Sequence, residues 1–216
     1  MNPRNAPKKL DDPLYSSRLI KNYIEYTNKR YHEVDINSLL SYAGITTYEL
    51  EDQGHWFTQR QVDRFHDILT KKTGDPNISR EVGRYAASSK ASSAVKQYAL
   101  GFMTPAAAYW VVKNLASRIT RAHTFKTRKL GPEKVEITAM PKPGIAEKPY
   151  QCDNRVGHLE ALSRLFTNKF AQIEHPTCIH RGADTCRYII TWEKAPSSIW
   201  RRIRNYFSLF GIFACG

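Results

Sequence analysis

Thr124-Phe125-Lys126-Thr127-Arg128, then Gly131-Pro132, then Lys134-Val135-Glu136-Ile137-Thr138-Ala139-Met140: across these residues the chain changes from a helical to a β pattern. The first run is rich in β-formers, the second alternates, and a Gly-Pro turn separates them, which predicts a hairpin. Upstream, the periodicity is helical. Ser16 or Ser17 caps a helix carrying Ile20, Tyr23, Ile24 and Tyr31 on one face. Asp35 or Asn37 caps a short helix through Leu39, Leu40 and Ala43, ended by Gly44. Thr58 caps a helix with an inner stripe of Val62, Phe65, Ile68 and Leu69, closed by Gly74-Asp75-Pro76. Ile78 to Tyr85 continues the helical pattern, and Thr104-Pro105 opens a long apolar helix through Ala108, Trp110, Val111, Leu115 and Ile119. Downstream, Asp153 or Asn154 caps a helix with Val156, Leu159, Leu162, Phe166 and Phe170 inward, and Cys186 to Trp192 reads as a strand. Helices first, then strands with one helix between them, predict an α+β fold: an N-terminal helical region followed by an antiparallel sheet with packed helices.

The predicted organisation is a disordered leader (1–13), a helical ligand-sensing region (14–121), an α+β region continuous with it (122–194), and a basic tail (195–216). The length allows a real core. The formal net charge of +13 favours polyanions or an anionic membrane surface. The charges are spread along the chain, with no RNA-binding aromatic signature and no zinc-finger spacing, so nucleic acid is not the expected partner. In the tail, Trp200, Ile203, Phe207 and Phe210 fall at helical spacing with Arg201, Arg202 and Arg204 among them. Arginines before an apolar run that is too short to span a bilayer suggest membrane contact through the tail. A C-terminal helix docked on the domain, or on a second copy in a homodimer, is the competing reading.

Four residues near the C-terminal end suit a metal: Cys152, His175, Cys178 and Cys186. Three thiolates and an imidazole make a closed tetrahedral set, which suits structural zinc better than catalytic zinc because no position remains for water. Cysteine also serves as a small apolar core residue, and that alternative stays open. A disulfide is not expected without a secretory signal. An enzyme can be sketched from Cys178 with His175 or His180 as its base. Zinc would occupy that thiolate, however, and there is no phosphate loop, HExxH or GxSxG. The acidic Glu49, Glu51 and Asp52 read as a solvated turn. No enzymatic role is expected of this region.

Leu39-Leu40-Ser41-Tyr42-Ala43-Gly44-Ile45, Thr58 to Leu69, Thr73 to Ile78 and Gly101 to Ala108 together resemble the ligand-binding domain that precedes the DNA-binding helices of some AraC-type regulators. From Gln151 to Trp192 the chain resembles the V4R (4-vinyl reductase-like) domain. That second resemblance implies a zinc site, with His175 in the place of a glutamate ligand. Both families share an α+β ligand-sensing fold related to haem nitric-oxide sensors. The resemblances imply the cytoplasmic input module of a bacterial signalling protein, such as a two-component sensor kinase or a cyclase linked to the membrane. Neither family's downstream machinery is present: there is no ATPase loop and no helix-turn-helix pair after Trp192.

A sensor needs a mostly apolar pocket with a few polar anchors. Tyr98, Phe102, Tyr109, Trp110, His123 and Phe125 are the expected lining, with His123 or Trp110 hydrogen-bonding a small hydrophobic or aromatic ligand. Haem is set aside. Tyr15-Ser16-Ser17-Arg18 resembles the Tyr-x-Ser-x-Arg clamp of the haem sensors but is one residue short, and the candidate axial ligands His66, His123 and His158 read as core histidines. The alternative to a sensor is a nucleic-acid or anionic-lipid binding protein using the basic surface.

Overall fold

The computed structural model describes residues 10–88 and 103–194. A short strand β1 (Pro13–Ser16) leads into helix α1 (Ser17–Arg30), followed by α2 (Ile36–Ala43), α3 (Thr47–Glu51), β2 (Trp56–Thr58), α4 (Gln59–Thr73) and α5 (Ile78–Ser88). Then come α6 (Pro105–Ala116), β3 (His123–Gly131), β4 (Lys134–Pro141), α7 (Pro149–Thr167), β5 (Gln172–Thr177), a 3-10 turn (Ile179–Arg181) and β6 (Cys186–Thr191). Strands β1 and β2 pair antiparallel, and the other four form an antiparallel sheet in the order β3-β4-β6-β5. The fold is α+β, as the sequence predicts.

The local rules hold where the side chains can act alone. Ser16 Oγ accepts from Arg18 N at the start of α1, and Thr58 with Gln61 closes a reciprocal capping box on α4. Gly44 and Gly74 end their helices at φ 66° and 65°, a conformation in which a side chain would be strained. The predicted start of α7 needs correction. The helix begins at Pro149, not beyond Asp153, because proline suits the first helical position, where its missing N–H costs nothing. It also ends at Thr167, so Phe170 lies outside it and is 40% exposed rather than inward. Trp110 likewise faces outward at 55% exposure, and its neighbour Tyr109 takes the buried position.

Two cores result. One gathers Ile20, Tyr23, Leu39, Phe57, Phe65, Leu69 and Ile78 in the helical half. The other gathers Tyr109, Val135, Ile137, Leu159, Tyr188 and Ile190 under the sheet. Helices α5 and α7 join the halves by backbone contact. A Cβ on Gly83 would stand 2.2 Å from Asn154 O, and one on Gly157 2.0 Å from Arg80 O. Only glycine permits that approach. Beside it, the buried Glu160 accepts from both Arg80 and Arg84, the latter at 2.7 Å, and Asn154 Nδ2 donates to Ser79 O at 2.9 Å. No described helix is long and apolar enough to cross a membrane.

Candidate ligand cavity and thiol cluster

Where the halves meet, the packing leaves a cavity of about 250 Å³. The helical half contributes Tyr15, Leu19 and Tyr23; the end of α6 and its following turn contribute Ala116, Ile119 and Thr120. Phe125 and Ile137 come from the sheet. Helix α7 closes the wall with a ladder that includes Tyr150, Asn154, His158 and Leu162, spaced by about one turn so that they share a face. The lining is mostly aliphatic and aromatic.

The polar groups of the wall are largely turned to protein partners. Tyr15 donates to Gln59 Oε1 at 2.5 Å, and Gln59 Nε2 donates to Asp63 at 2.7 Å and to Gln151 Oε1 at 2.9 Å. Tyr150 donates to the same Asp63 at 2.8 Å, and its ring stacks on His66 at 3.7 Å. Burial pushes the His66 imidazole down to about 4. Tyr23 donates to Ser79 Oγ. Glu147 and Arg155 border the cavity as a pair 2.7 Å apart, with side chains 2% and 13% exposed. Burial alone would raise the Glu147 carboxyl, but the charges of Arg155 and His123 outweigh it and hold the group down at about 2. His123 Nε2 lies 3.1 Å from Glu147 Oε2, yet neither atom meets hydrogen-bond geometry.

His158 behaves differently. Its Nδ1 lies 2.9 Å from the carbonyl of Asn154. A carbonyl only accepts, so Nδ1 carries the proton and Nε2 the lone pair. Burial lowers the imidazole pKa, which keeps it neutral.

Arg155 leads from the cavity to the second centre. Its other amino group donates to Tyr188 Oη at 2.9 Å and reaches Cys152 Sγ at 3.8 Å. Cys152, Cys178 and Cys186 are buried, and their sulfurs all lie within 4.8 Å of one another. Cys152 Sγ and Cys186 Sγ are 3.7 Å apart. Hydrogen bonding between them favours the Cys186 thiolate and drives the Cys152 thiol up, with His175 adding to the first effect. His175 stacks on Tyr188 at 4.3 Å, and its Nε2 is buried without a hydrogen-bond partner. His180 stands with Glu147 and Cys152 in an adjacent group of potential ligands.

Of the lining expected from sequence, Phe125 borders the cavity. Tyr109 does not: it stacks on Trp192 at 5.3 Å and donates to Leu159 O, filling the sheet-side core. Trp110 is on the surface and His123 is buried behind Glu147. Tyr98, Phe102, Trp200, Arg201, Arg202, Arg204 and Phe207 lie outside the described residues. Glu147, Arg155 and Gln151 were missed. One signal was available: Arg155 sits three residues after Cys152, on the inward stripe of an apolar helix, where a cation needs a buried partner.

With the geometry in view, comparison with solved structures is decisive for the fold. An H-NOX protein from S. oneidensis in the Fe(II)NO ligation state superposes with a TM-score of 0.64 at 14% identity, covering 83% of this chain and 99% of that one. An oxygen-binding H-NOX domain related to soluble guanylate cyclases gives 0.63 at 14% identity, over 83% and 96% of the two chains. The fold is that of the H-NOX domains. No family model and no curated protein matches the sequence.

These neighbours correct the treatment of haem. One is described in an Fe(II)NO state and others by their haem redox potential and haem distortion, so setting haem aside on sequence grounds does not stand. Of the three histidines considered as axial ligands, the structure brings His158 to the cavity wall; His66 and His123 do not line it. A neutral imidazole whose other nitrogen is held by a backbone carbonyl has the chemistry of an axial ligand. The Tyr15–Arg18 segment is otherwise engaged: Ser16 caps α1, Ser17 donates to Asp52 O, and Arg18 is exposed.

Proposed function

We propose that this region is a sensory module that binds a small, mainly apolar molecule in the cavity between its two halves. The observation that carries the reading is the cavity itself: about 250 Å³, lined by both halves, at the joint that a ligand would have to bias in order to signal. The likeness of fold to H-NOX domains, one of them described as oxygen-binding, supports it. In this reading the region does no catalysis. It is the cytoplasmic input of a bacterial signalling protein, with a kinase or cyclase as output. A screen of small aromatic and aliphatic compounds by thermal unfolding tests it, because a ligand that binds only the folded state raises the midpoint by mass action. A screen without any shift would count against it.

Haem is a second reading, favoured by the His158 tautomer. His158 would supply the axial nitrogen, and bound haem would supply an iron able to take a diatomic gas. Titration with haemin, followed by Soret absorbance, checks this. A stoichiometric band that shifts in His158→Leu supports it, and no band disposes of it.

The thiol cluster reads as a structural zinc site formed by Cys152, Cys178, Cys186 and His175. Three converging sulfurs support that set, and His175, whose buried Nε2 has no hydrogen-bond partner, lies beside Cys186 but outside the group whose ligand atoms are all within 4.8 Å of one another. Elemental mass spectrometry should find about one zinc per chain, lost in Cys178→Ser. Metal-free, folded protein would make the cysteines core residues.

A further inference from the structure

Most polar atoms facing the cavity are already committed. The Tyr15, Tyr23 and Tyr150 hydroxyls donate to protein oxygens, and so does the Asn154 amide nitrogen. Arg155 is divided between Glu147 and Tyr188. Glu147 Oε2 lacks a hydrogen bond, but it is sealed against His123 rather than open. Among the described residues Asn154 Oδ1 and the Thr120 hydroxyl proton keep capacity, and so does His158, the one imidazole of the wall. Its Nδ1 proton is fixed on Asn154 O, and Nε2 takes no hydrogen bond from the described residues. Nor is Nε2 among the sealed, unsatisfied atoms, although its residue borders the cavity. It is a neutral ring acceptor at the edge of a mostly apolar space.

We infer that His158 Nε2 is the polar anchor of the cavity, and that the ligand is an uncharged apolar molecule carrying one hydrogen-bond donor, an N–H or O–H. The inference rests on the reading of the cavity as a ligand site and narrows its ligand class. While burial keeps the ring neutral and Asn154 fixes its tautomer, Nε2 accepts and cannot donate, so it discriminates by polarity as well as by position. A ligand that lacks the donor but displaces water from Nε2 leaves it unsatisfied, which costs about as much as a hydrogen bond. An anionic ligand finds no spare cation among the described lining residues, because the Arg155 charge is neutralised by Glu147, and an ionised group in this lining would lose its hydration uncompensated. A cationic ligand likewise finds no spare carboxylate among the described lining residues, because Glu147 is already paired with Arg155.

Calorimetric titration with three probes of similar size tests this: indole, which has the N–H donor; benzofuran, which lacks it; and indole-3-carboxylate, which adds a charge. Indole should bind about tenfold more tightly than benzofuran, and the carboxylate more weakly than indole. In His158→Phe, indole should fall to the affinity of benzofuran while benzofuran is unchanged. In His158→Gln, whose side-chain oxygen can still accept, part of the preference should return, and this variant decides the matter if the phenylalanine disturbs folding. Equal binding of indole and benzofuran to the wild type, or a preference that survives in His158→Phe, would overturn the anchor and leave the cavity reading standing. Binding of none of the three would overturn both.

Discussion

The cavity and the thiol cluster share one side chain, Arg155, and differ in how the chain builds them. The cavity draws on β1, α1, the end of α6, two strands and α7, so that its wall spans Tyr15 to Leu162 in sequence. The cluster draws on α7 and the segment around the 3-10 turn, with Cys178 and Cys186 eight positions apart. The cavity is held open by satisfied hydrogen bonds and by a helix crossing that excludes any Cβ. The cluster is held shut by burial, with thiol acidities driven apart by mutual hydrogen bonding. A space for a molecule that comes and goes needs a rigid frame around an apolar void. A site for a permanent ion needs converging donors and no spare room.

Arg155→Met should do most damage, because it strikes both regions. It leaves the carboxylate of Glu147 buried without its partner, which costs about 3–5 kcal/mol, read as a fall in the urea midpoint at unchanged slope. A loss below about 1 kcal/mol, the range of an exposed pair, would mean that the two regions are not joined through this residue.

Lowering the pH should weaken the cavity side. His66 has a folded pKa of about 4, below the ordinary 6.5, so the unfolded chain binds the proton first. The stability it contributes is complete above pH 6.5 and is lost as the pH falls towards 4, on the order of 3 kcal/mol in all. His66→Phe should flatten that stretch of the stability curve. Glu147 acts lower: its depressed pKa gives stability that is present above the usual carboxylate range and lost as the pH approaches 2. If the slope between pH 6.5 and 4 survives in His66→Phe, another group carries it.

Gly157→Ala should sharpen the contrast, because it forces α5 from α7 and does not touch a thiol. The new Cβ would press on the backbone of Arg80, and overpacking of this kind costs about 1–3 kcal/mol. Unfolding by urea measures it, and a change within experimental scatter would show that the crossing relaxes freely. The smallest effect belongs to the rim of the sheet. Lys169→Ala removes an ion pair with Glu193 in which both side chains are about two-thirds exposed, and should change stability by less than about 1 kcal/mol.

Legibility in the sequence follows the same division. The hairpin over β3 and β4 was readable because a Gly-Pro turn interrupts two β-rich runs, and the caps at Ser16 and Thr58 because each acts within three residues. The convergence of Cys178 and Cys186 was suggested by their short separation. The cavity was not legible, since nothing local says that Tyr15 and His158 will share a wall. Tyr109 and Trp110 show the limit of periodicity: adjacent aromatics on one helix cannot both face inward, and only the packing of α6 against the sheet decides which one does. Glu147 stands in a stretch with Pro141, Pro143 and Pro149 around it, where nothing local announces its pairing with Arg155. Haem is set aside in the sequence because the clamp motif is one residue short and the histidines read as core residues, whereas the likeness lies in the course of the backbone at 14% identity, which no motif search reports.

The central claim is that the joint between the halves is a ligand site, and filling it is the most direct test. Ala116 borders the cavity from the end of α6, and Ala116→Phe would occupy the space. Thermal unfolding of the wild type and this variant, with and without saturating indole, should show a midpoint raised by indole in the wild type and unmoved in Ala116→Phe. The same rise in both proteins, or none in the wild type, would contradict the account.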